Sequence, residues 1–311
     1  MTRSPRSLPI PATLRASLES EPGADEWLDQ LPSLVHEIAD RWQLTLGQPF
    51  EGGATSWAAP ARRADGTAVV LKVVWPHREA REEATALRLW DGDGAAKLLD
   101  HDREHWALLL ERCTPGTKLG DTDLEPSDAL AIGADLLTRL WREPTDAAAY
   151  EQLADVTREW ATTVRRHLDD LDARFDAGLL ARGADLFEEL PRSATRTVVL
   201  HGDFNPGNIL VATREPWLAI DCKPMVGDAA FDPSQFVLQV CDPLSEPDPE
   251  RVVDERFKRF ADLVGEDAQR CVAWGAARET EYAVWEWTRG NATDALAAMA
   301  HLAMLVRVAG L

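Results

Sequence analysis

Leu200-His201-Gly202-Asp203-Phe204-Asn205-Pro206-Gly207-Asn208-Ile209-Leu210 is the stretch on which the reading of this chain turns. Val198-Val199-Leu200 leads into it, Ile209-Leu210-Val211 leads out, and a third apolar run, Trp217 to Ile220, ends at Asp221. Short apolar runs rich in β-branched residues and separated by Gly, Pro, Asn and Asp read as strands joined by turns. Helical periodicity surrounds them, so they form an island of strands among helices. Loops held by such a scaffold are where chemistry concentrates.

The residue types in the loop select a chemistry. His201, Asp203 and Asn208 have the H-x-D-x-x-x-x-N spacing of a kinase catalytic loop. Phosphoryl transfer needs an acceptor for the proton of the attacking hydroxyl and oxygen ligands for the Mg²⁺ that neutralises the phosphates. Asp203 suits the first task. Asn208 offers a neutral carbonyl oxygen and Asp221 a carboxylate, both of the hard kind that Mg²⁺ prefers. A turn stabilised by Asx hydrogen bonds uses the same residue types, but it does not call for the flanking strands or the later Asp221.

Working outward, Lys72 lies inside Val69-Val70-Leu71-Lys72-Val73-Val74-Trp75, an apolar strand where an unpaired ammonium would be costly. Glu83 follows on the next helix, beside Ala80 and Leu87, with Glu79 and Glu82 as alternative partners. A strand Lys paired with a helix Glu is how a kinase small lobe holds nucleotide phosphates. An edge-strand Lys reaching solvent is the competing explanation.

The rest of the chain sorts into two parts. A helical pattern runs from Ala12 to Gln43, strands are expected at 45–50, 56–62 and 67–75, a helix at 78–90, and strands near 97–100 and 106–110. The turn Cys113-Thr114-Pro115-Gly116 separates these from a helix-rich remainder, with helices near 127–141, 147–171, 174–190, 249–264 and 267–309, the last broken near Gly290. The expected division is therefore residues 1–112, a strand-rich part with a helical N-terminal extension, and residues 113–311, mainly helical.

Composition excludes several classes. With 45% hydrophobic and 28% charged residues the chain can build a core. Thirty-three basic against 53 acidic residues give a net charge of −20, and no basic patch is interleaved with aromatics. A surface so acidic repels phosphate backbones and anionic lipid, which argues against nucleic-acid and membrane-surface partners and favours a cationic ligand. Cys113, Cys222, Cys241 and Cys271 show neither a C-x-x-C pair nor zinc-ligand spacing with His, as expected in a reducing cytoplasm. Met1 to Pro11 has no apolar segment of a signal peptide. The apolar stretch from Ala295 to Leu311 is interrupted by His301 and Arg307 and reads as a core helix.

Leu71-Lys72-Val73, Glu83 to Arg88, Leu110 to Gly116, His201 to Asn208 and Ile220-Asp221-Cys222-Lys223-Pro224, with Gly227-Asp228 and Phe231-Asp232, together resemble an aminoglycoside phosphotransferase. Within that superfamily the chain is most similar to the streptomycin 6-phosphotransferases and hydroxyurea phosphotransferases, from about Trp27 to the C-terminus. The run Arg214 to Asp221 is the most family-specific piece.

The resemblance implies an α+β, protein-kinase-like two-lobed fold, with a small β-rich N-lobe, a larger helical C-lobe and ATP between them. It implies that backbone groups of Glu111 and Cys113 read the adenine edge, and that His201 and Asp232 support the catalytic loop. Two departures stand out. Phe50 to Ser56 carries Gly52-Gly53 rather than G-x-G-x-x-G, and Cys222 follows Asp221 where the streptomycin enzymes usually carry Pro.

For the acceptor, a guanidinium-bearing drug such as streptomycin would seek carboxylates and aromatic faces. Glu279, Glu281 and Glu286 with Trp285 are the candidates, although such spacing also describes an ordinary solvated helix face. The expected function is an ATP- and Mg²⁺-dependent kinase acting on a hydroxyl of a small cationic molecule, streptomycin first. The alternatives are a metabolic kinase of an amino sugar, sugar or hydroxyurea-like molecule, and an inactive nucleotide-binding module.

Overall fold

A computed structural model describes residues 8–19, 21–172 and 174–311. The N-terminal segment read above for a signal peptide lies partly outside them, at residues 1–7. The chain divides into two compact units. The first comprises Met1–Gly116 with Ala212–Arg214, the second Thr117–Val211 with Glu215–Leu311.

In the first unit, helices α1 (Ala12–Leu18) and α2 (Ala24–Arg41) precede β1 (Thr45–Leu46), β2 (Ser56–Arg62), β3 (Ala68–Val74), α3 (Glu83–Trp90), β4 (Leu98–Asp102) and β5 (Ala107–Glu111). The strands form one antiparallel sheet in the order β1-β2-β3-β5-β4. Leu14, Leu18, Leu28, Leu31, Val35 and Ile38 pack with Trp57, Ala59, Leu71 and Val73 of the sheet. Alternation along β3 therefore sends Leu71 and Val73 to the α1–α2 face and Lys72 to the other.

Two expectations are corrected here. The strand expected over 45–50 ends at Leu46, because Pro49 has no N–H to donate; only Gly47 N and Phe50 N still reach the Pro60 and Ala58 carbonyls of β2. The helix expected over 78–90 is a single 3₁₀ turn, Arg78–Ala80, followed by the shorter α3.

The second unit holds α4 (Pro126–Leu140), β6 (Glu151–Gln152), α5 (Leu153–His167), α6 (Ala177–Arg192), β7 (Thr197–Val199), β8 (Ile209–Val211), β9 (Trp217–Ala219), β10 (Met225–Asp228), α7 (Pro233–Gln239), α8 (Pro249–Val264), α9 (Ala268–Thr288) and α10 (Ala292–Ala309). β10 pairs in parallel with β6 and antiparallel with β7, while β8 and β9 form a hairpin. The helix expected over 147–171 is thus interrupted. Asp146 caps a 3₁₀ turn by accepting from Ala148 N at 3.0 Å, and β6 then pairs with a strand remote in sequence. β10 and α7 were not legible; α7 is seven residues long and mostly buried, so it shows no amphipathic period.

α8 spans the expected residues, with Asp248 accepting from Arg251 N and Gly265 ending it at φ 75°. The break in the C-terminal helix falls at Arg289–Asn291, where Gly290 takes φ 85°. α10 is long and apolar enough, by length and composition, to cross a membrane. In the structure Ala295, Ala298, Met299, Leu302 and Leu305 are buried and α10 packs along α9.

Asp228, 1% exposed, is one of the buried charges of this unit's core. It accepts from Arg270 Nε at 2.7 Å and Trp274 Nε1 at 2.6 Å, and also caps the turn at Ala230. Removing one member of a buried, hydrogen-bonded ion pair strands the other. Asp228→Ala is therefore expected to lower the unfolding free energy by about 3 kcal/mol, measured by urea denaturation.

Candidate active site

The loop His201–Asn208 emerges from β7, whose ladder is extended by Leu200 N donating to Met225 O at 2.8 Å. Asp232, 3% exposed, holds the start of the loop. Its Oδ2 accepts from His201 N at 2.9 Å and from Trp141 Nε1 at 3.0 Å, and its Oδ1 from Gly202 N at 2.9 Å. Burial pushes the Asp232 pKa up, and the three donors and His201 oppose that shift. Asp232 therefore acts on the backbone.

His201 is fully buried, and burial lowers its pKa. Its neighbours define the neutral tautomer. Nε2 faces the Ile220 carbonyl at 3.1 Å and must donate, while Nδ1 accepts from Asp203 N at 3.3 Å. The ring is a spacer that fixes the Asp203 backbone.

Asp203 itself is partly exposed. Asn205 Nδ2 donates to its Oδ1 at 3.1 Å, Asn208 Nδ2 to its Oδ2 at 3.3 Å, and Lys223 Nζ lies 3.4 Å from Oδ2. Asn208 Nδ2 also reaches the Asp203 carbonyl at 2.9 Å. The amide thus points its nitrogen inward, and its Oδ1 accepts no hydrogen bond among the described residues. The β8–β9 hairpin brings Asp221 to the same place, because Ile220 N donates to Asn208 O at 2.9 Å. Asp221 is exposed and adopts φ 59°, a left-handed conformation that Asp tolerates better than most residues.

An unbonded amide oxygen and an exposed carboxylate on adjoining residues fit a hard divalent cation such as Mg²⁺. Among the described residues no three His, Cys, Asp or Glu side chains gather into a metal cage. Mg²⁺ does not require one, since phosphate and water fill its other positions.

In the first unit, Lys72 Nζ contacts both Glu83 carboxylate oxygens, at 2.7 and 2.8 Å, with the two residues 7% and 2% exposed. Of the three candidates, Glu83 is the one whose carboxylate embraces the ammonium. Glu111 ends β5 with its carboxylate taken. Arg214 Nε donates to both of its oxygens, at 2.9 and 3.1 Å, and the Lys97 N–H donates to Oε2 at 3.0 Å. Any ligand contact there falls to its backbone. Burial and the Glu111 charge push the Cys113 thiol up to about 11, so it stays protonated.

The four candidates on α9 differ. Glu286 is 5% exposed, accepts from Asn291 Nδ2 at 2.6 Å and braces the α9–α10 turn. Glu279 Oε2 is buried with no hydrogen bond among the described residues, and His301 Nδ1 lies 3.4 Å from it. Glu281 is half-buried. Trp285 is 45% exposed between Tyr282 and Arg289, whose guanidinium lies 4.7 Å from the ring centroid.

Sequence reasoning missed Trp141 as a ligand of Asp232, Arg214 as the clamp on Glu111, and Lys223 as the neighbour of Asp203. Arg214 had a signal, since it opens the most family-specific run. Trp141 carried none that pointed to position 232.

Comparison with known proteins accords with this geometry. Spectinomycin phosphotransferase, in a crystal structure with ADP and spectinomycin, matches 89% of this chain and 97% of its own, with a TM-score of 0.57 at 12% identity. The fold is thus α+β and protein-kinase-like, with a β-rich smaller unit and a helical larger one. Streptomycin 6-kinase of Streptomyces glaucescens is 35% identical over 286 residues, 91% of this chain and 92% of the relative. Hydroxyurea phosphotransferase of Kitasatospora aureofaciens is 34% identical over 271 residues, 86% of this chain and 76% of the relative. The family described as aminoglycoside/hydroxyurea antibiotic resistance kinase matches residues 41–290, and the chain belongs to it. The protein is a phosphotransferase acting on hydroxyl acceptors.

Gly202 gives a direct check on the loop. Its φ is 80°, and a Cβ added there would overlap the Lys223 carbonyl oxygen. Gly202→Ala is expected to cost at least about 2 kcal/mol in urea denaturation, from the left-handed conformation and the displaced backbone together.

Proposed function

We propose that the protein transfers the γ-phosphoryl group of Mg-ATP to a hydroxyl of a cationic aminoglycoside or aminocyclitol, with streptomycin the first substrate to test. The observation that carries this reading is the Asp203 carboxylate, partly exposed and oriented by Asn205 and Asn208. In the transfer the acceptor oxygen bonds to the γ-phosphorus, the bond from phosphorus to ADP breaks, and the hydroxyl proton passes to Asp203. Asn208 Oδ1 and Asp221 would hold Mg²⁺, which supplies positive charge to the phosphate oxygens.

Lys72, steadied by Glu83, is assigned to the α- and β-phosphates, and the backbone of Glu111 and Cys113 to adenine. His201 and Asp232 keep the loop in shape. Glu279, Glu281 and Trp285 are the α9 groups suited to a guanidinium or ammonium acceptor, with Glu286 bracing the turn beside them. The acidity of the chain, −20 overall, favours encounter with such a cation.

Relatedness to a hydroxyurea phosphotransferase supports a second reading, in which the acceptor is a small uncharged hydroxylated molecule. The four cysteines are all free thiols, in keeping with a cytoplasmic site of action.

The test is ADP release from Mg-ATP with streptomycin, other aminoglycosides, amino sugars and hydroxyurea as acceptors. Streptomycin-dependent turnover is expected, with Asp203→Ala lowering kcat by about 10³-fold. Turnover with hydroxyurea alone would move the protein to the second reading. Unchanged turnover in Asp203→Ala would remove Asp203 from its role.

A further inference from the structure

The segment His201–Asn208 contains no Lys or Arg, and its one basic side chain, His201, is buried and neutral. Positive charge reaches Asp203 from outside the loop. Lys223 Nζ lies 3.4 Å from Asp203 Oδ2, and among the described residues no other cationic side chain pairs with that carboxylate. Lys223 is one of only five lysines in the chain.

Its placement is a property of the backbone. The Lys223 N–H donates to the His201 carbonyl at 2.8 Å, and its own carbonyl oxygen occupies the space that a side chain at Gly202 would need. The left-handed turn at Asp221 and the absent Cβ of Gly202 together let the two segments run side by side. The two side chains are 40% and 21% exposed, so their attraction is screened and contributes little to stability. A cation held beside the carboxylate assigned to take the proton therefore calls for a use in the reaction.

Resting on the kinase reading above, we propose that Lys223 is a catalytic residue whose ammonium contacts the γ-phosphoryl oxygens during transfer. A phosphoryl group and the Asp203 carboxylate are both anionic, and bringing them to the same hydroxyl is opposed by their repulsion. Lys223 offsets that repulsion at the place where charge spreads over the phosphoryl oxygens, beside Asp203 itself and in addition to the charge of the Mg²⁺ that Asn208 and Asp221 would hold. The acceptor oxygen gains its bond to phosphorus, ADP departs with the electron pair of the broken bond, and Asp203 takes the proton. Lys223 keeps its own protons throughout.

Calorimetric titration of Mg-ADP, with and without aluminium fluoride as a mimic of the phosphoryl group in flight, tests this without any acceptor. Lys223→Met is expected to bind Mg-ADP within about threefold of wild type but the fluoride complex at least about 30-fold more weakly, with Lys223→Arg recovering most of the loss. Equal affinity of wild type and Lys223→Met for the fluoride complex would overturn the proposal. So would a parallel loss of Mg-ADP affinity, which would make Lys223 a prop of the nucleotide or metal site. Should wild type fail on streptomycin while the fluoride pattern holds, the acceptor is wrong and Lys223 keeps its role. Failure of wild type to bind Mg-ADP would overturn both.

Discussion

Three donors converge on Asp232: the backbone N–H groups of His201 and Gly202 and the indole N–H of Trp141. A carboxylate this buried carries a desolvation penalty, and the directed hydrogen bonds offset it. In exchange two consecutive peptide groups are held in one orientation, with Gly202 in the left-handed region. The neutral ring of His201 bridges the next step, from the Ile220 carbonyl to the Asp203 N–H. Asp203, Asn208, Asp221 and Lys223 take their positions from this frame.

Burial divides the acidic residues by task. Asp228, Asp232 and Glu83 are at most 3% exposed, and each is occupied by protein donors. Asp203 is partly open and Asp221 exposed, so each can meet a ligand. The same side chain is therefore a structural clamp in one place and a group open to a ligand in another, according to how much water and how many donors surround it.

Much of the site was legible in local sequence. His201, Asp203 and Asn208 lie on one short loop whose spacing expresses a geometric requirement, and Lys72 announced a partner because an ammonium in an apolar strand needs one. Glu83, the favoured residue of three, is the one that pairs. α8 was legible residue by residue, since Asp248 and Gly265 mark its ends. β6, β10 and α7 were not, because the first two exist only through pairing with distant strands and the third is too short and too buried to show a period.

By itself the amino-acid sequence determined which groups the proposed phosphoryl transfer would draw on and the order in which they occur, since spacing within a loop or a hairpin is a local property. Tertiary structure decided which carboxylates are consumed as supports. Glu286 and Glu279 share a helix and a residue type, yet one is held by Asn291 while the other keeps a buried oxygen without a hydrogen bond among the described residues. It also decided that Lys223 stands beside Asp203, through a glycine without a Cβ and a backbone hydrogen bond between segments that no sequence period connects. Contacts of that kind depend on the path of the whole chain, and no local pattern encodes them.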